Sequence, residues 1–306
     1  MSPSPAANLT KAASLQAYYT IRLFVDRERV EDAFRSYAYY RWVDDVLDGS
    51  SGSAAEHREF LDRQKALLTT CEAGGIPQVA AGQEEMLVEL IRQDPEKNSG
   101  LRCYLRTMMQ VMEFDAGRRG KLISKVELDT YTRLLALAVT ENMHYFIGHH
   151  DHAPREDARY RAVSAAHIVH MLRDTHEDVD AGYYNVPREL LDANHIGPED
   201  VDSPPYQAWV KGRVALARQY FKSAKDYLSQ VGCLRYRLAE CAYASRFEWV
   251  LEKLENEGYR IRPEYNERRS TGPALRMGWC ALAALIGVRP AAERGPTGIS
   301  RPLDQQ

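Results

Sequence analysis

The chain has 306 residues, 44% of them hydrophobic, which is enough for a sizeable buried core and excludes disorder as the state of the whole chain. Lys and Arg number 40 against 43 Asp and Glu, a formal net charge of -3, so the global basic excess of a nucleic-acid binder is absent. The five cysteines, Cys71, Cys103, Cys233, Cys241 and Cys280, form no CxxC pair, which argues against structural zinc and a disulfide framework and for free thiols in a reducing compartment.

The opening MSPSPAANLTKAAS has no apolar h-region, so no secretory leader is expected, and residues 1–10 read as a disordered start. Helix then follows helix. Apolar residues recur at mixed i+3/i+4 spacing over residues 30–47, 83–93, 101–114, 125–147, 155–179, 204–230 and 234–256, with few β-branched runs. Stop signals fall at residues 49–52, at Gly74, Gly75 and Pro77, and at residues 98–100, 117–120, 194–205 and 258–263. Short spacers, no strand rhythm and no fixed-period repeat predict one all-α domain over residues 11–288, with a disordered Gly/Pro/Arg tail at 289–306. The most apolar run, residues 274–288, holds Arg276 and is too short to span a bilayer. The expectation is a cytosolic protein with that run as a candidate contact for a membrane surface.

The first chemical constellation is YAYYRWVDDVLDG, residues 37–49, at the end of a predicted helix. Asp44 and Asp48 lie four apart and share one face, with Arg41 on the same stripe. Two carboxylates one turn apart repel, which makes chemical sense when a hard divalent cation sits between them, since Mg²⁺ prefers oxygen ligands and is held by one or two carboxylates plus phosphate oxygens. Arg41 would then face a diphosphate, which a guanidinium binds through paired hydrogen bonds. The competing reading is a solvated acidic helix end, although acid at a helix C-terminus is unfavourable against the dipole.

The second constellation, HMLRDTHEDVDAGYYNVP at residues 170–187, repeats the geometry. Asp174 and Asp178 are four apart, His170 is one turn before Asp174, and Arg173 adjoins the first carboxylate. Two facing aspartate pairs suit Mg²⁺ ions around a diphosphate, neutralising the charge that grows as a C–O bond breaks and leaving a carbocation in an apolar cavity. Met108, Met109, Met112, Phe114, Tyr131, Leu134, Leu135, Leu137, Ala138 and Met143 lie between the motifs and suit either that cavity's wall or plain core. His170 reads as a metal ligand, a general base or a satisfied core histidine. The HHDH run at 149–152 reads as a surface loop, because no second ligand cluster accompanies it.

At these residues the chain resembles the squalene/phytoene synthases, a family that joins two prenyl diphosphates head to head. YYRWVDDVLD resembles that family's first Asp-rich motif and HMLRDTHEDVDAGYYNVPREL its second, while VELDTY (126–131) and FEWVLEKLENEGY (247–259) resemble its tunnel-helix entry and its late helix. The resemblance runs from about residue 12 to 270. It implies an isoprenoid-synthase-type helical bundle around a central cavity, with Asp44, Asp48, Asp174 and Asp178 as Mg²⁺ ligands and Arg41 and Arg173 on diphosphate. The expected substrate-facing set is Arg22, Tyr37, Tyr40, Asp45, Tyr131, His170 and Tyr184. The implied substrate is farnesyl or geranylgeranyl diphosphate, with NADPH use left open.

The chain also departs from the family pattern. SLQAYY replaces a serine-rich start, leaving Ser14; His167 and His170 stand for the usual Gln and Asn; Tyr183 replaces an Arg and Phe247 a Tyr; and LALAVT (135–140) loses both glycines of VAGxVG. A divergent member is therefore expected. A terpene cyclase acting on one prenyl diphosphate is the alternative enzyme, and a catalytically silent homologue acting as a binding or assembly factor is the alternative outside catalysis.

Overall fold

The computed structural model describes residues 4–49, 52–150 and 153–265. Among these are twelve α-helices: α1 (Pro5–Ala13), α2 (Leu15–Phe24), α3 (Val30–Asp48), α4 (Ala54–Glu72), α5 (Gly82–Gln93), α6 (Gly100–Arg118), α7 (Lys125–Phe146), α8 (Arg161–Arg173), α9 (Thr175–Ala181), α10 (Arg188–Asn194), α11 (Pro204–Leu228) and α12 (Leu234–Asn256). A single bridge between Ile123 and Pro187 is the only extended pairing among the described residues. The fold is all-α, as the periodicity predicts. The run at 274–288 and the tail at 289–306 lie outside the described residues.

The expectation of a disordered start is corrected. Ser4 caps α1 by accepting from the Ala7 amide and Pro5 occupies the first turn, where a missing N–H costs nothing. Ala6, Ala7 and Thr10 are then buried against α3. The predicted helix at 155–179 is also divided. A 3₁₀ turn, Asp157–Tyr160, precedes α8, and the chain bends at Asp174 before α9. The bend has a local cause: the Thr175 hydroxyl donates to the carbonyls of Met171 and Leu172 (2.8 and 3.1 Å), competing with the helix ladder. Gly117 does not stop α6, which runs on to Arg118, and the turn is made by Gly120 at φ 72°.

Helix α8 is central. Ala165, Ala166, Ile168, Val169 and Leu172 are all within 2% of complete burial, so most of the helix surface is apolar and packed against α7, α11 and α12, with His167 and His170 left on one open face. One buried cluster gathers α1 to α7 together with Met171 of α8, Tyr227 of α11 and Tyr236 of α12, and a second gathers the remaining buried faces of α8, α11 and α12. The second aspartate motif therefore hangs from the C-terminal end of the most enclosed helix, while the first ends α3, whose Ala38, Tyr39 and Val43 are fully buried. Two capping boxes, Ser53 with Glu56 and Ser124 with Glu127, fix the starts of α4 and α7.

One buried carboxyl is unrelated to either motif. Both oxygens of Glu240 on α12 lack a hydrogen-bond partner among the described residues. Burial pushes this carboxyl up to about 8, although Tyr236 and Arg159 nearby oppose the shift. Because the folded value exceeds the ordinary 4.5, the stability tied to protonated Glu240 is complete below about pH 4.5 and is lost as pH rises through 8. Glu240→Gln is expected to flatten that slope and to stabilise the protein at pH 9 by on the order of 3 kcal/mol. Thermal melts from pH 5 to 9 check this, and parallel curves for the two proteins would contradict it.

Candidate active site

Asp44 and Asp48 occupy the last two turns of α3 and face one cavity of about 160 Å³. The last turn carries no basic residue, so the helix end offers these carboxylates no compensation. Burial, and then Asp48, push the Asp44 carboxyl up to about 6. Arg41 donates to Asp44 Oδ2 at 3.1 Å and also pairs with Asp45. Asp45 itself turns outward, with 53% of its side chain exposed.

The second pair enters the same cavity from the α8–α9 bend. Arg173, itself buried, grips both oxygens of Asp174 in a fork, and His170 Nε2 lies 2.9 Å from Asp174 Oδ2. Burial pushes the Asp174 carboxyl up, but Arg173 and His170 outweigh it and hold the group well below the usual carboxylate range. Asp178 is the opposite case. Burial and the neighbouring Asp174 push it up to about 7, against the Asn185 amide, which donates to its Oδ2 at 2.7 Å. The two motifs thus present carboxylates of very different proton affinity.

Sequence reasoning missed a third contributor. Asp115, near the end of α6, accepts from the Tyr131 hydroxyl and from Arg118 Nε, each at 2.7 Å. Arg118 reaches on to Asn185 Oδ1 at 2.9 Å, and its guanidinium lies over the rings of Phe114, Tyr131 and Tyr183. This chain of contacts joins α6, α7 and the segment after α9. The link between motifs is Tyr183, whose hydroxyl lies 3.4 Å from Asp48 Oδ1. Gly182 at φ 85° turns the chain there, and its carbonyl accepts from the Gly120 amide at 2.8 Å, docking the α6–α7 turn onto the motif.

Of the expected substrate-facing residues, Tyr131 and His170 line this cavity. Tyr37 does not line it, but touches the Ser14 side chain and senses Arg41 and Asp44. Besides Asp45, which turns outward, three placements are corrected. Tyr40 is buried in the core, its hydroxyl donating to the Leu105 carbonyl, because its position on α3 faces α6. Arg22 lines a separate cleft at the far end of α2. Tyr184 does not line the cavity and Tyr183 does, since neighbouring residues of a non-helical segment point apart. His167, noted only as a departure from the family pattern, is partly buried and lines this cavity with its Nε2 atom enclosed and unpartnered, and desolvation drives its pKa well below the ordinary value.

No group of three or more metal-ligating side chains converges on one point among the described residues. The donor set nonetheless suits a hard cation: paired carboxylates in which one member raises the proton affinity of Asp44 or Asp178, with an arginine at each pair. Mg²⁺ typically takes one or two carboxylates and completes its sphere with substrate phosphate oxygens and water, so convergence of three side chains is not required.

The family model for squalene/phytoene synthase matches residues 10–274. A presqualene diphosphate synthase of Zymomonas mobilis is 25% identical over 262 residues, 83% of this chain and 84% of the relative. A crystal structure of a squalene synthase from Alicyclobacillus acidocaldarius superposes with a TM-score of 0.66 at 18% identity, covering 84% of this chain and 94% of the other. A dehydrosqualene synthase crystallised with a ligand gives a TM-score of 0.68 at 13% identity, covering 92% and 96%. At these identities the two structures speak to the fold.

Proposed function

This chain belongs to the squalene/phytoene synthase family of prenyltransferases, and we propose that it ionises an allylic prenyl diphosphate and joins it head to head to a second one. The observation that carries this reading is the meeting of two aspartate pairs, from α3 and from the α8–α9 bend, across one small cavity. At about 160 Å³ the cavity is below the roughly 300–1,000 Å³ of ordinary ligand pockets, so it suits the diphosphate head and not the prenyl chain. Asp44, Asp48, Asp174 and Asp178 would hold Mg²⁺. When bound, that ion supplies positive charge to the departing pyrophosphate.

The protein's own groups supply the rest. Arg41 and Arg173 each hold a motif carboxylate in this structure without lining the cavity, and a diphosphate arriving between the motifs would draw their N–H groups from those carboxylates to the same kind of oxygen acceptors. As the C–O bond breaks, the electron pair leaves with pyrophosphate and an allylic cation remains. The double bond of the second diphosphate captures it, and loss of a proton closes a cyclopropane that still carries the second diphosphate; a hydrocarbon product requires that group to leave as pyrophosphate in a second ionisation. Farnesyl and geranylgeranyl diphosphate are the proposed substrates, and a later reduction would call on NADPH.

One observation favours the cyclase alternative. Thr140, where the family has a glycine, is fully buried, and half-buried Leu137 adds further bulk to α7. A narrower chamber suits one prenyl chain better than two.

The proton affinities give a test of the metal site. A cation must displace the protons held on Asp44, at about 6, and Asp178, at about 7. Mg²⁺ affinity and Mg²⁺-dependent pyrophosphate release are therefore expected to rise between about pH 6 and 8 and then level, with net proton release on binding. Calorimetry at pH 6.5 in two buffers of different ionisation heat measures this. Identical heats, with affinity independent of pH, would contradict the assignment of these carboxylates.

A further inference from the structure

The geometry points to the outer face of α2, together with the cleft at its C-terminal end, as a docking surface for a bilayer bearing anionic phospholipid headgroups. Leu15, Tyr19 and Leu23 recur at i, i+4 and i+8 along α2 and are 59%, 54% and 68% exposed. Only Ile21 of this helix is buried, on the other side. Apart from this stripe, the large exposed hydrophobics among the described residues are Ile76, Val79, Val126 and Leu234. Leu234 extends the stripe. It opens α12 next to Arg235, and Arg235 donates to the Phe24 carbonyl at 3.1 Å and pairs with Asp26, which fixes the start of α12 against the end of α2.

The apolar stripe ends in a cationic cleft. Leu23 and Arg22 line it with Arg27, Arg235, His149 and His150, around an open volume of about 750 Å³. Its acids are Asp26 and Glu28. Asp26 is committed within the fold, accepting from the amides of Gly148 and His149 (3.3 and 3.1 Å) and from Arg235. Arg22 and Arg27 make no ion pair with any described residue, so their charge is available to a ligand. Aliphatic and tyrosyl side chains beside arginines match the chemistry of an anionic membrane surface: the apolar stripe enters the headgroup boundary and the cations meet the phosphates. A soluble anion would use the cleft alone and leave the stripe unexplained.

The position also has a use. Ser14 caps the start of α2 and bonds the Tyr37 hydroxyl, which senses Arg41 and Asp44, so the N-terminal end of α2 lies near the first aspartate motif. Prenyl diphosphates are amphiphiles that collect in membranes. The surface differs from the run at 274–288 that sequence reasoning offered, and its argument does not depend on the reaction catalysed.

Cosedimentation of the full chain with vesicles tests the proposal. Partition onto phosphatidylcholine vesicles containing about 30% phosphatidylglycerol is expected to exceed that onto phosphatidylcholine alone at least tenfold, and to fall with salt. Leu23→Glu should reduce it at least tenfold, Arg22→Gln with Arg27→Gln should remove the preference for anionic lipid, and Val126→Glu, at an exposed apolar site on another helix, should change nothing. Equal partition of wild type and Leu23→Glu would overturn the proposal. So would absence of vesicle binding, whether Leu23→Glu then converts a dimer to a monomer in light scattering, assigning the face to a second copy, or lowers the melting temperature, assigning it to residues 266–306 of the same chain.

Discussion

Asp48→Asn is expected to lower pyrophosphate release from farnesyl diphosphate at least about a hundredfold, a loss of roughly 2.7 kcal/mol of transition-state stabilisation. The substitution is nearly isosteric. Asp48 sits at the open end of α3 and its one hydrogen-bond contact, with Tyr183 at 3.4 Å, survives in the amide, so the fold should be unaffected. What is removed is the charge that a hard cation requires. Asp174→Asn should match it in activity but not in stability, because Arg173 is buried and loses its charged partner. Steady-state release of pyrophosphate, with a thermal melt of each variant, separates the two effects. Full activity in Asp48→Asn would remove α3 from the metal site.

The second large effect concerns Arg118. Its residue exposure is 7%, it binds Asp115 and Asn185, and it lies under three aromatic rings. Arg118→Met leaves the partly buried Asp115 carboxylate with only the Tyr131 hydroxyl, and breaking a pair whose other member is buried costs up to about 3–5 kcal/mol. A fall in melting temperature of roughly 6–15 °C is expected for a domain of this size. Activity should fall as well, since Asn185 would lose the contact that orients it on Asp178. Adding Asp115→Leu should recover much of the stability but not the activity, because no buried carboxylate is then left unpaired. A melting temperature unchanged by Arg118→Met would show that the network contributes nothing to the fold.

Much of this architecture was legible in the sequence because it depends on local periodicity. The bounds of α12 and the starts of α3, α7 and α11 follow from apolar spacing, and the paired aspartates follow from i, i+4 spacing alone. Asp115 was not legible, since EFDAGRR reads as a polar helix end and becomes part of the site only through contacts with Tyr131 and Asn185 that are distant in sequence. A signal existed in Arg118 three residues on and Phe114 alongside. The choice between Tyr183 and Tyr184 turns on the left-handed Gly182, which resets side-chain direction after α9. The Ser4–Pro5 start of α1 was readable as a cap followed by proline at the first helical position. The bend at Asp174 was harder, because the Thr175 hydroxyl breaks a helix whose apolar spacing continues unbroken.

Product analysis tests the central claim most directly. Purified protein incubated with Mg²⁺ and farnesyl diphosphate, and separately with geranylgeranyl diphosphate, each with and without NADPH, is expected to give a dimeric product: a C30 hydrocarbon, or presqualene diphosphate when NADPH is absent, from the first, and a C40 product from the second if the chamber accepts the longer chain. Exclusive formation of C15 or C20 hydrocarbons or alcohols at every substrate concentration would contradict head-to-head joining and establish the single-substrate cyclase, and diphosphate binding without turnover would establish the silent homologue.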